Sequence, residues 1–209
     1  MPTDVKRDQA RTRLARRAVV DAARTLFLAR GYQATTVEAI SAEADVSVAT
    51  VYRLFSAKLG ILKALLDVSI AGDDQPVAMP ERPQVIALDA EGDPVQLLAD
   101  LAAITVGINT RSGDVYRILT IAAGADPAAA ELLGDYQHQR ARGQGGVARK
   151  LARSGALRAG LRQRDAGDLI HALMSPELFR LLVVDRGWSA RRYEHWLAGT
   201  LAEQLLSPP

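Results

Sequence analysis

The sequence predicts an all-α fold, and three observations carry that prediction. Apolar residues recur at intervals of three and four along most of the chain, no stretch alternates apolar and polar residues long enough for a strand, and helix-start signals are spread throughout. With 209 residues, 48% hydrophobic and 24% charged, the chain is long enough to bury a core and too apolar to be disordered. It contains no cysteine, which excludes disulfide staples, thiolate catalysis and sulfur-ligated zinc or iron–sulfur sites and fits a reducing compartment.

The elements follow in order. A first helix is predicted from about Asp8 to Ala29, with Leu14, Ala18, Ala22 and Leu26 on one face and Gly31 as its stop. Thr35-Thr36-Val37-Glu38 reads as a capping box with Thr35 as the cap, opening a short helix to about Ala44. Asp45-Val46-Ser47 is a tight turn, and Ser47 caps a helix that ends near Phe55. Ser56 caps a fourth helix, to about Ala71. Residues 73–92, with Pro76, Pro80 and Pro83 and no clear period, read as a loop. Asp93-Pro94 and Asp126-Pro127 each place a proline just inside a cap, and helices are expected over about 94–110, 113–123 and 127–153. Asp165 caps a helix expected to reach Arg186 with a kink at Pro176, and Ser189 caps the last, to about Leu206.

Charge is uneven. Residues 1–58 carry ten Lys and Arg against six acids, for +4, while the remaining residues carry 16 basic and 18 acidic side chains, for −2. A basic end of this kind suits a polyanionic partner, and it also describes an ordinary solvated tail. Met1 to Arg17 is polar and basic, so no secretory signal is expected, and the apolar stretch Leu169 to Val184 is interrupted by His171, Pro176, Glu177 and Arg180. The expectation is a cytoplasmic protein without membrane contact.

Two helices of about eight residues separated by a three-residue turn have the dimensions of a helix-turn-helix. At ~100° per residue, Val48, Val51, Tyr52 and Phe55 share one face of the second helix, while Ala49, Thr50 and Arg53 point the other way. An outward arginine can donate two hydrogen bonds to guanine, and an alanine can touch a thymine methyl. Thr35, Thr36 and Ser47 stand at helix N-termini, which attract phosphate; Tyr52 can pack its ring and turn its hydroxyl outward, and Lys58 offers a point charge. Each of these residues also has a plain structural use as a cap or a solvated side chain.

Asp21-Ala22-Ala23-Arg24-Thr25-Leu26-Phe27, Gly31-Tyr32, Thr35-Thr36-Val37 and Val51-Tyr52-Arg53-Leu54-Phe55 with Lys58 occur in an order that resembles the DNA-binding domain of TetR-type repressors. The resemblance covers residues 14 to 68, and Leu54 and Leu59 depart from the usual pattern. It implies a basic arm over 1–12, a three-helix DNA-binding domain over 13–72 with its motif at about 36–55, the loop over 73–92, and a helical ligand-binding and dimerisation domain over 93–209. Carried over by position, Thr35, Thr36, Ser47, Tyr52 and Lys58 would hold phosphates, and Ala49, Thr50 and Arg53 would face bases. Ser175-Pro176-Glu177-Leu178-Phe179-Arg180 through Trp188-Ser189 to Trp196-Leu197 resembles one C-terminal variety of the same family.

The expected function is therefore a repressor that binds a palindromic operator as a homodimer and leaves it when a small hydrophobic inducer binds. The apolar stripe of the last helix, Tyr193, Trp196, Leu197 and Leu201, with Leu178, Leu181 and Leu182 before it, is the candidate dimer interface, a filled core being the alternative. Candidate pocket residues are Leu97, Leu101, Ile104, Ile108 and Tyr116, then Leu119, Tyr136, His171, Met174 and Phe179. No cofactor, metal or catalytic residue is expected: Gly143-Gln144-Gly145-Gly146 lacks the preceding strand that a dinucleotide loop needs, and His138, His171 and His195 have no ligand spacing. The competing readings are a constitutive repressor without an inducer, and a protein that coats DNA non-specifically through Arg140, Arg142, Arg149, Lys150 and Arg153.

Overall fold

The computed structural model describes residues 2–75 and 77–207, with side chains from residue 9 onward. Among the described residues the secondary structure is helical, and β pairing is confined to an isolated bridge between Leu157 and Leu206. The all-α expectation holds. The chain forms two compact units, one of Met1–Asp74 with Asp114–Leu133, the other of Gln75–Gly113 with Gly134–Pro209.

The first unit contains α1 (Pro2–Ala34), α2 (Val37–Ala44), α3 (Val48–Phe55) and α4 (Lys58–Ala71), together with the end of α6 (Pro94–Ala123) and the start of α7 (Pro127–Arg153). α1 buries Val19, Ala22, Ala23, Leu26 and Phe27, a stripe at the spacing a helix requires. The buried face starts later than predicted, because Leu14 is exposed. The helix itself starts earlier than Asp8, with Pro2 at its first position, where a missing N–H costs nothing. Residues 2–12, expected as an arm, are thus helical, while the side chains of Lys6 and Arg7 lie outside the described residues. Gly31 interrupts α1 at φ 78° and ψ 165°, a backbone state that a side-chain-bearing residue adopts only under strain. Asp126 caps α7 as expected, its carboxylate accepting from the N–H of Ala128 at 2.9 Å.

The second unit contains α5 (Pro83–Ala90), the first part of α6, the rest of α7, α8 (Gln163–Leu173), α9 (Pro176–Phe179) and α10 (Ala190–Leu205). α5 corrects the loop expected over 73–92. Its eight residues bury only Leu88, so they carry no period to read, and Lys150 Nζ closes its C-terminus by donating to the carbonyls of Leu88 and Asp89 at 2.7 and 2.6 Å. The break expected between 110 and 113 is absent: α6 runs through, with the Ser112 hydroxyl donating to the Ile108 carbonyl four residues back. Gly145 on α7 admits a close approach by α8: a β-carbon on Gly167 would lie 3.9 Å from its Cα.

The helix expected from Asp165 to Arg186 is divided. Pro176 cannot continue α8, so Ser175 caps a new start by accepting from the N–H of Leu178 at 3.1 Å, and a π-helical turn, Arg180–Asp185, follows α9. Arg162 rather than Asp165 occupies the cap position of α8, and Asp165 pairs with it from the first turn. Ser189 caps α10 as expected, accepting from the N–H of Arg192 at 3.1 Å.

The expected dimer seam needs correction. Tyr193, Leu197 and Leu201 are 0% exposed within the chain, so their stripe is core and has no face left for a partner. Tyr193 stacks edge-on against Phe179 at 5.2 Å, donates its hydroxyl to the Leu173 carbonyl at 3.2 Å, and has its phenol pushed up to about 12 by burial. Leu178, Leu182 and Trp196 are half-buried and Leu181 is 50% exposed.

The pocket candidates also divide. Leu97, Leu101, Met174 and Phe179 pack into one apolar cluster with α10, Ile104 lies against it, and Ile108 and His171 are half-buried. Tyr136 is buried in the second unit, whereas Tyr116 and Leu119 are buried in the first.

His171 sets a pH dependence for this unit. Its Nδ1 lies 2.7 Å from the buried Gln144 Oε1, and burial, aided by Arg140, holds its pKa below the ordinary 6.5, against the pull of Glu177 and Asp168. The unfolded imidazole takes up a proton that the folded one resists, so the stability it contributes is complete above 6.5 and is lost as pH falls from there. His171→Gln should flatten the fall in stability measured by urea unfolding between about pH 7.5 and 5.5. An unchanged slope would show that the folded imidazole titrates as it does in water.

Candidate nucleic-acid interface

The candidate interface is built from the ends of four helices. Between α2 and α3, Asp45 takes a left-handed backbone at φ 51°, which its short polar side chain tolerates. The N–H of Val46 reaches the Ser41 carbonyl at 3.1 Å while the Ser41 hydroxyl donates to the Val46 carbonyl, so the turn is tied to α2 in both directions. Val37 and Ile40 of α2 are buried, as are Val51 and Phe55 of α3, two of the four residues that the helical wheel placed on its packing face. A β-carbon on Gly60 would stand 2.0 Å from the Phe55 carbonyl oxygen, so only glycine lets the first turn of α4 lie so close to the end of α3.

On the opposite face of α3, Ala49 and Arg53 are exposed and Thr50 is half-buried. Thr50 is held by the helix cap: Ser47 Oγ accepts from its N–H at 3.4 Å and donates to its Oγ1 at 2.9 Å. Tyr52 is 45% exposed, so part of its side chain is covered and part is open to solvent.

Two of the side chains expected to hold phosphates are engaged inside the protein. Thr35 is 1% exposed, and its hydroxyl donates to the Gly31 carbonyl at 2.8 Å. The cap of α2 is Thr36, one residue later, with Oγ1 accepting from the N–H of Ala39 at 3.1 Å. The Thr35–Glu38 capping box is therefore not formed.

Lys58 Nζ donates to the carbonyls of Tyr32 and Thr35 at 2.7 and 2.8 Å, reaches that of Gln33 at 3.5 Å, and sits 4.3 Å from the centre of the Tyr32 ring. Burial lowers its pKa and raises that of the Tyr32 phenol, and the Asp126 carboxylate raises both. Ser56, expected to cap α4, closes α3 with a positive φ of 62°, and α4 opens at Ala57 without a side-chain cap.

Arg16 of α1 was not legible as part of this assembly. Its guanidinium lies 4.7 Å from the centre of the Phe55 ring and donates to the Leu54 carbonyl at 3.4 Å, placing a cation at the negative end of α3. Its only sequence signal was membership of a basic run. A groove of about 320 Å³ beside it carries Arg13, Arg16 and Arg17 against Asp21, Asp73 and Asp74, a mixture that selects neither sign of charge. Among the described residues no three His, Asp or Glu side chains are grouped to hold a metal ion, and no helix is long and apolar enough to cross a membrane.

Comparison with known proteins places this assembly. Residues 19–65 match the family described as bacterial regulatory proteins, tetR family. The uncharacterized HTH-type transcriptional regulator YvkB of Bacillus subtilis is 46% identical over 48 residues, which is 23% of this chain and only a quarter of that relative's length. NalD of Pseudomonas aeruginosa, described as the secondary repressor of the MexAB-OprM multidrug efflux pump, superposes with a TM-score of 0.71 at 23% identity, covering 93% of this chain and 98% of NalD. FadR of Bacillus subtilis, solved with stearoyl-CoA, gives 0.71 at 16% identity, covering 90% and 97%. The structural likenesses show a shared fold.

Lys58→Met keeps the aliphatic stem and removes the charged donor. Hydrogen bonds from charged groups contribute about 1.5–3 kcal/mol, and partial exposure reduces that, so urea unfolding should show a loss of about 1–2 kcal/mol. A loss below about 0.5 kcal/mol would show that the three carbonyls do not depend on the ammonium.

Proposed function

With a tetR-family segment at residues 19–65 and the fold of its structural relatives over nearly the whole chain, we propose that the protein is a sequence-specific DNA-binding transcriptional regulator. It acts as a repressor, binding a palindromic operator as a homodimer in the cytoplasm and leaving it when a small apolar ligand binds the helical body. The observation that carries the DNA-binding part is the outward face of α3, where Ala49, Thr50 and Arg53 stand clear of the buried Val51 and Phe55. α3 enters the major groove, Arg53 donates to a guanine and Ala49 meets a thymine methyl. Thr36, Ser47 and Tyr52 contact phosphate, with free backbone N–H groups at the starts of α2 and α3. Lys58 supports that surface from behind.

A palindromic site requires two copies of α3 about 34 to 36 Å apart, one helical turn of DNA. With Tyr193, Leu197 and Leu201 buried, the pairing face is built instead around Leu181 and Val184 on the π-helical turn, 50% and 63% exposed, with Leu178 and Leu182 beside them. The non-specific coating reading is disfavoured by two of the five cations it needs: Arg140 donates to the carbonyls of His171 and Met174, and Lys150 to those of Leu88 and Asp89.

Selection of the purified protein on a randomised DNA pool at near-physiological salt tests the reading. An enriched palindrome is the expected result, and salt-sensitive binding without enrichment would contradict it. On that palindrome Arg53→Ala should cost about 1–3 kcal/mol and relax preference at one base pair in each half-site. An equal loss on every sequence would move Arg53 from base contact to phosphate contact.

A further inference from the structure

α6 carries Thr105, Asn109 and Ser112 at i, i+4 and i+7, on one face, each at 5% exposure or less. A polar stripe inside a helical body is costly unless every group is paired. Thr105 and Ser112 satisfy themselves, each donating to the carbonyl four residues back at 2.8 Å. Asn109 does not: its Nδ2 is buried without a hydrogen-bond partner.

A second amide is nearly in the same position. Gln144 on α7 is buried, and its Oε1 is taken by His171, but its Nε2 meets the Met174 thioether at 3.9 Å, a weak acceptor. Val106, close to one turn before Asn109, and Ala148, one turn after Gln144, belong to one apolar cluster with Ile170 and Met174, so both amides border it. Gly113, next to Ser112, and Gly145 and Gly146, next to Gln144, are half-buried, with no heavy atom within 4 Å of where a β-carbon would stand.

We propose that these two amides form the polar seat of the ligand site, and that the ligand is an apolar molecule ending in a carboxylate or carbonyl oxygen. The unpaired group of Asn109 and the weakly paired group of Gln144 are both N–H donors, so the complementary group is an acceptor. Arg140, one turn before Gln144 and held by long bonds of 3.4 and 3.5 Å to backbone carbonyls, adds positive charge and favours the carboxylate. The chain of the ligand lies along the apolar cluster. The inference rests on the ligand gating proposed above and names its chemistry.

Thermal unfolding with two probes of equal chain length, decanoate and decyltrimethylammonium, both below their micelle concentrations, tests the site. Decanoate should raise the Tm of the wild-type protein in proportion to dose, and the cation should not. Asn109→Leu should raise the Tm without ligand, because it replaces a buried orphan donor with an apolar group, and should weaken decanoate binding at least tenfold. Gln144→Met gives a second reading of the same loss should Asn109→Leu fail to fold. No stabilisation by decanoate, equal stabilisation by both probes, or full binding by both variants would overturn the site. Decanoate that binds through Asn109 yet leaves operator binding unchanged would sustain the site and overturn the gating.

Discussion

The Lys58 ammonium joins backbone segments that are 23 to 26 residues apart in the chain, with α2 and α3 between them. It draws the carbonyls of Tyr32 and Thr35, at the end of α1 and the entry to α2, onto the first residue of α4. α3 lies between those two anchored points in sequence, and its other end is fixed by the close approach of Gly60 to the Phe55 carbonyl and by Arg16 over the Phe55 ring. These contacts together fix where α3 presents Ala49, Thr50 and Arg53. A lysine in this position contributes more as a pin than as a phosphate ligand, because three short or moderate contacts to carbonyls leave it little freedom to reach outward.

The second unit separates its polar and apolar groups in a similar way. α10 is held by burial, with Tyr193, Leu197, Leu201 and Leu205 inside and an aromatic run from Phe179 through Tyr193 and Trp196 to Trp188, which Arg192 caps at 3.9 Å. α5 has a single buried side chain and a lysine across its C-terminus, so it has little apolar anchoring. Between these extremes lie the buried polar groups of α6 and α7, of which Thr105, Ser112 and Gln144 have partners and the Asn109 N–H, unpaired, costs stability where it stands.

How much was legible depended on whether the deciding interaction was local. Ser47, Ser189 and the Asp126-Pro127 start each act within one helical turn, and each was read at its own residue. Thr35 and Thr36 show the limit, since two adjacent hydroxyls can both cap and only the burial of Thr35 against Gly31 decides between them. The same limit applies to α10: an apolar stripe looks alike whether it is covered by its own chain or by another copy, and the covering residues, Leu173 of α8 and Phe179 of α9, come from two other elements. Asn109 carried no periodic or motif signal, and Gln144 stood only in a glycine run set aside as a dinucleotide loop, because a lone amide in a helix is ordinary until its burial is known.

The central claim is that the exposed face of α3 lies against bases, and because the chain has no cysteine it can be tested at one chosen position. Ala49→Cys, carrying a thiol-reactive photo-cross-linker and bound to the selected operator, should cross-link to major-groove base positions at two sites related by the palindrome. Arg191→Cys, at the exposed start of α10, is the control and should give few cross-links. Equal and scattered cross-linking from both positions would contradict the account.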